Sequence, residues 1–357
     1  MWLLQVLAYL TFTLHILAMQ FTLGSVILML VSWRAPHKAT RFLGSGLPLG
    51  FSYLVTFGIP PLLFVQVIYG QFFYTSSVLI GAFWISVIPL LIIAYGASYW
   101  HKLTRDRRPG GQGLLVGLIL LVILTIGFIY VNNLTLAQTP ERWLDLYRQH
   151  PGGGTLNHGE PTLIWRYFFA LSPALAVVGL ALILRGGTLR AWGDLKEGLA
   201  SHRLGFRAMV ISTALVLVSG IGLFATLPDA MSEHLRGAWA PFVGTAAVFF
   251  GLALLLAWRA GRRSGLLFPV LAAVSMVGAT ACVVVLRDLI RLAYLHPRFD
   301  PAQIPLKPQW AMFVLFAVSL VAGIVFMIVF TKKTVSGMAA VRRNQIAGLT
   351  VSNASRS

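Results

Sequence analysis

The sequence predicts an all-α integral membrane protein, a bundle of about nine transmembrane helices with the N-terminus outside and the C-terminus inside. Three observations carry this. Of the 357 residues 57% are hydrophobic and only 11% charged, where an ordinary soluble domain has about 25% charged residues. Apolar runs recur at the length of roughly 20 residues that crosses a bilayer. Finally, the 28 lysines and arginines, which outweigh ten acids to give a net charge of +18, are distributed very unevenly between the connecting segments.

The spans read from hydropathy are 3–32, 48–69, 74–100, 113–133, 163–184, 205–227, 239–258, 265–288 and 309–331,. Segments 33–47, 101–112, 185–207, 259–264 and the C-terminal tail fall on one side and hold most of the basic residues, while most of the acids fall on the other. The positive-inside rule makes the basic side cytoplasmic. The charge is therefore an orientation signal, and no nucleic-acid partner is expected; the surrounding partner is membrane lipid. Residues 1–333 form one transmembrane domain, and 334–357 a polar, mobile cytoplasmic tail,.

Span one, from Trp2 to Trp33, is a long apolar run whose only strongly polar member near the middle is His15, with Met19 one turn away on the same face,. An imidazole at that depth faces a bundle interior, a cavity or a cofactor. It is either a hydrogen-bonded structural residue or the axial ligand of one heme, since no other histidine is deep enough to pair with it. Span two carries Gly58, Pro60 and Pro61, residues that kink a helix. Beyond it, Gln66, Tyr69, Gln71 and Tyr74 place hydrogen-bonding groups at the outer interface, as an aromatic belt with a tight turn at Gly70 or as part of a binding site,. Spans two and three must form a close outer hairpin.

In the outer loop 134–162, Trp143, Leu144, Leu146 and Tyr147 predict a short amphipathic helix, followed by a flexible break at 151–154. Residues 186–204 read as a basic inner linker. At the outer end of span eight, Arg287 and Arg291 share a helical face, and Asp288 can pair with Arg291 at i+3,. Two guanidiniums and an acid at a membrane edge suit a quinone head group or a heme propionate, or simply anchor the helix. The single Cys282 excludes an internal disulfide and reads as a small core residue,. Nucleotide-binding loops, zinc-protease helices and nucleophile elbows are missing. So are spans with two acids, which lowers a carboxylate-driven pump.

Several stretches resemble subunit I of the cytochrome bd quinol oxidase family, in particular its shorter, divergent relatives. They are Leu14-His15 with Leu23-Gly24 in span one, Phe64 to Gly70, Pro161 followed by Arg166-Tyr167-Phe168-Phe169, and the glycine-containing run Gly220 to Pro228. The resemblance implies nine spans, heme b on His15, quinone chemistry and a place in the bacterial inner membrane. Departures limit it. Phe169 stands where the family has a low-spin heme histidine, 85–89 lacks the proton-feeding acids, and the quinol loop shrinks to 229–237. Full oxygen reduction is thus not expected. The resemblance then implies an electron-transfer subunit working with other membrane subunits and a periplasmic protein such as a c-type cytochrome. His15, Met19, Gln66, Tyr69, Arg287, Asp288 and Arg291 are its candidate cofactor-binding residues. The alternatives are a heme-free quinone-binding anchor, or a non-redox scaffold or transporter.

Overall fold

The computed structural model describes residues 2–106, 111–263, 265–296, 298–303 and 310–354, without the side chains of 230, 234, 235 and those from 334 onward. Arg107 and Arg108 of the inner segment 101–112 lie outside the described residues, as do the side chains of Arg342 and Arg343 in the tail. Among the described residues every regular element is helical, and nine helical segments are long and apolar enough to cross a membrane. Two compact units emerge, one ending at Ala302 and one from Gln303 onward.

In the first unit, α1 (Trp2–Val31) packs along α2 (Lys38–Leu79), a helix of 42 residues. α2 is not one straight rod but two helical stretches, 38–68 and 70–79, joined at a kink. Its dihedrals remain helical through Pro48, Pro60 and Pro61 and depart only at Tyr69 (φ −121°, ψ 27°). The break expected at Gly70 is a kink at the adjoining Tyr69, and a second break, at Ile80, alone separates α2 from α3 (Gly81–Thr104). Burial sets this position, because Ile80 is fully enclosed with Ile129, Leu136 and Leu146. The loop that was expected to be flexible closes over the same turn. The Ala82 N–H donates to the Gly153 carbonyl and the Thr155 N–H to the Leu79 carbonyl.

After α4 (Gln112–Leu136) come a 3-10 turn at Pro140–Arg142 and α5 (Trp143–Gln149), the short outer helix expected there. Span five is interrupted, with α6 (Leu163–Leu171) and α7 (Ala174–Ala191) meeting at Ser172 and Pro173. The segment read as a basic linker is almost all helix. Only 192–194 separate α7 from α8 (Leu195–Thr226), and the Asp194 side chain caps α8 by accepting from the Glu197 N–H,. Two contacts hold the basic residues in place. Arg185 pairs with Glu197 at 2.9 Å. Arg190 is buried and donates to the carbonyls of Ala260 and Gly261, in the last turn of α10 (Ala240–Arg262) where carbonyls lack helical donors,.

A short α9 (Asp229–Arg236) precedes α10, and α11 (Leu267–Leu295) returns along it. One core joins α1, α2, α4 and α7 through Leu23, Val26, Leu47, Phe51, Ile119 and Leu182. A second joins α7, α8, α10 and α11 through Ile183, Met209, Ala257 and Met276. Gly24 shows why small residues sit in these seams, since a methyl group there would overlap the Ala174 carbonyl of α7,. In the second unit, α12 (Trp310–Ala354) carries the apolar stretch Trp310–Lys333. Its backbone is helical as far as Ala354.

Candidate functional site

Three helices meet at the end of the bundle where α1 begins and α11 finishes. Each presents one face set by the 3.6-residue period. From α1 come Gln5, Ala8, Tyr9 and Phe12; from α2 Pro61, Val65, Ile68 and Tyr69; from α11 Val284, Arg287, Asp288 and Arg291. Together they line a small cleft of ≈ 30 Å³, room for about one or two water molecules.

Asp288 is the centre of its polar wall. Its carboxylate accepts from the Tyr9 hydroxyl at 2.8 Å, from the Tyr69 hydroxyl at 3.1 and 3.2 Å to its two oxygens, and from Arg291 Nη1 at 3.3 Å. Asp288, Arg291 and Tyr69 are all buried, at 5%, 5% and 4% exposure. The pair expected at the membrane edge is thus enclosed by the bundle, seven residues before α11 ends. A buried ion pair requires hydrogen bonds beyond its own to offset desolvation, and the two tyrosines supply them.

The arginines are less fully satisfied. The Arg291 guanidinium lies 4.4 Å from the Tyr69 ring centre, and its Nη2 is buried without a hydrogen-bond partner. Arg287 lies 4.4 Å from the centre of the Phe12 ring, and among the described residues no carboxylate is within ion-pairing distance of it. Arg166, on α6, donates from Nη1 to Gln138 at 2.5 Å and covers the Tyr294 ring at 4.9 Å, while its Nη2 is also buried and unpartnered. Tyr294 donates to Glu160 at 3.3 Å. Around the cleft and the adjoining α6 the guanidiniums of Arg166, Arg287 and Arg291 thus stand with the carboxylates of Asp288 and Glu160, of which only Asp288 is ion-paired to one of them. Such an excess of donors and positive charge favours an electron-rich, hydrogen-bond-accepting group.

The remaining sequence-derived candidates separate from this cleft. Tyr69 leaves the expected aromatic belt and turns inward, whereas Gln71 and Tyr74 face outward. Gln66 is half-buried and does not line the cleft, and Met19 packs against the α1–α2–α4–α7 core. His15 lies on the α1–α2 seam, its ring centre 6.2 Å from that of Phe12. Its Nδ1 is 3.1 Å from the Leu54 carbonyl. A carbonyl only accepts, so Nδ1 carries the hydrogen and neutral His15 keeps its lone pair on Nε2, for which no partner is found among the described residues. Gly58 makes room for the ring; a methyl group there would lie 3.0 Å from Cε1. Sequence reading missed Tyr9 altogether. Its sole signal was the phenol itself, one turn before Phe12 in an otherwise apolar run.

No protein-family model matches the chain, and no curated protein matches it either.

Proposed function

We propose that this chain is a membrane subunit of a bacterial respiratory electron-transfer complex, related to subunit I of cytochrome bd, that holds a quinone head group in the cleft between α1, α2 and α11. It sits in the inner membrane with the N-terminus outside, so that the cleft opens near a periplasmic electron-transfer partner such as a c-type cytochrome.

The observation that supports this reading is the composition of the cleft. Its lining combines the polar Tyr9, Tyr69, Arg287, Asp288 and Arg291 with the apolar Ala8, Val65, Ile68 and Val284, a mixture that suits a ring with polar oxygens and an isoprenoid tail. The chemistry of the lining suits this group, and its ring would part the α1–α2–α11 seam on entering, since the enclosed space is only ≈ 30 Å³. Arg287 has free donors for a ring oxygen, and the Asp288 ion pair with its two tyrosines keeps the polar wall fixed. A bound quinone would supply two-electron carrier chemistry, while the chain binds and orients it. Extraction of the protein in mild detergent followed by organic-phase analysis should recover quinone, and Arg287→Ala should lose most of it. Quinone-free wild-type protein would refute the proposal.

One observation favours a second reading, in which His15 ligates heme b. A histidine whose Nδ1–H is fixed by a backbone carbonyl presents Nε2 to a metal in a set tautomer. The cleft itself does not reach the imidazole, so this reading concerns the α1–α2 seam rather than the quinone site. A Soret band in purified protein, abolished in His15→Ala, is its expected signature; a colourless preparation rules it out.

A further inference from the structure

Beyond holding a ring, the cleft has an unequal stock of donors and acceptors. On the donor side stand the Arg287 guanidinium, which lies against the face of Phe12, and the unpartnered Nη2 of Arg291. On the acceptor side there is little to spare. The Asp288 carboxylate already receives Tyr9, Tyr69 and Arg291. The two phenol oxygens are committed as donors and are weak acceptors, which leaves the Gln5 amide carbonyl as the one uncommitted strong side-chain acceptor among the described lining residues,.

A quinone and its hydroquinone differ in the property this stock discriminates. The quinone's two oxygens only accept hydrogen bonds, whereas the hydroquinone brings two O–H donors that each need an acceptor once removed from water. We propose, resting on the quinone reading above, that the cleft binds the oxidised quinone in preference to the hydroquinone, with Arg287 as the selecting residue. The guanidinium can donate and cannot accept, and its uncompensated charge favours the more electron-rich carbonyl oxygen. Sites built to pair one set of polar groups discriminate strongly against a partner that leaves them unpaired.

The test is anaerobic calorimetry on the detergent-solubilised full chain, titrated with a short-tailed benzoquinone and separately with its hydroquinone. The quinone should bind at least tenfold more tightly, a difference that lowers the reduction potential of the bound couple by about 30 mV. Arg287→Gln, which offers a donor and an acceptor together, should bring the two affinities within about threefold, mainly by weakening the quinone. Arg287→Lys, which keeps a cationic donor, should retain the preference. If Arg287→Gln does not fold, Gln5→Leu gives an independent arm, since loss of the spare acceptor should weaken hydroquinone alone. Equal affinities in the wild type, or tighter hydroquinone, overturn the inference and leave the quinone site standing. Absence of saturable binding by either form overturns both.

Discussion

Asp288 is held by donors from three helices, Tyr9 of α1, Tyr69 of α2 and Arg291 of its own α11. Its removal would leave Arg291 buried opposite two phenols with nothing to receive them. Breaking a buried pair from one side costs about 3–5 kcal/mol, so Asp288→Ala should lower the denaturation midpoint markedly in detergent. Asp288→Ala combined with Arg291→Ala should cost less than the sum of the two single changes, and strict additivity would mean that the pair does not interact as described. The i, i+3 relation of these two residues was legible in the sequence because one helix fixes it. Their burial was not, because an arginine near a span end reads equally well as an anchor reaching toward water.

Among the elements, the α7–α8 hairpin departs furthest from its hydropathy reading. Its basic residues suggested an inner linker, yet they extend both helices, because Arg190 finds acceptors at the end of α10 and Arg185 finds Glu197. Arg190→Met keeps most of the apolar stem and strands those carbonyls. Unmet buried acceptors cost about 1–3 kcal/mol each, so a lowered melting temperature is expected. Higher on the same seam, Gly179 and Gly205 meet so closely that a side chain on either would strike the other's carbonyl. Gly205→Leu should destabilise by about 1–3 kcal/mol or more, as overpacking does, readable in the same thermal scans. Hydropathy located these helices but began α8 at 205, ten residues after its start at Leu195. A scale that scores only transfer into lipid ends a span at its charges and is blind to whether the helix continues through them.

For the whole molecule, orientation can be tested independently of any cofactor. In a Cys282→Ser background, a cysteine replacing the exposed Gly152 of the outer loop should react in intact cells with a membrane-impermeant maleimide. One replacing Lys196, beside the α7–α8 turn, should react only after permeabilisation. The opposite pattern would invert the topology and place the cleft at the cytoplasmic face.

The number of spans and their approximate positions, though not their ends, came from the sequence alone, since hydropathy is a property of consecutive residues and the bilayer sets the length that counts. The close α2–α3 hairpin and the short helix α5 were legible for the same local reason. Which faces meet was decided by tertiary structure. An almost uniformly apolar helix such as α1 carries no stripe to mark its inner side, so Tyr9 gave no sign that it would reach Asp288, 279 residues away. Only packing, which gathered the three donors around one buried carboxylate and left Arg287 without an ion-pair partner among the described residues, turned scattered polar residues into a site.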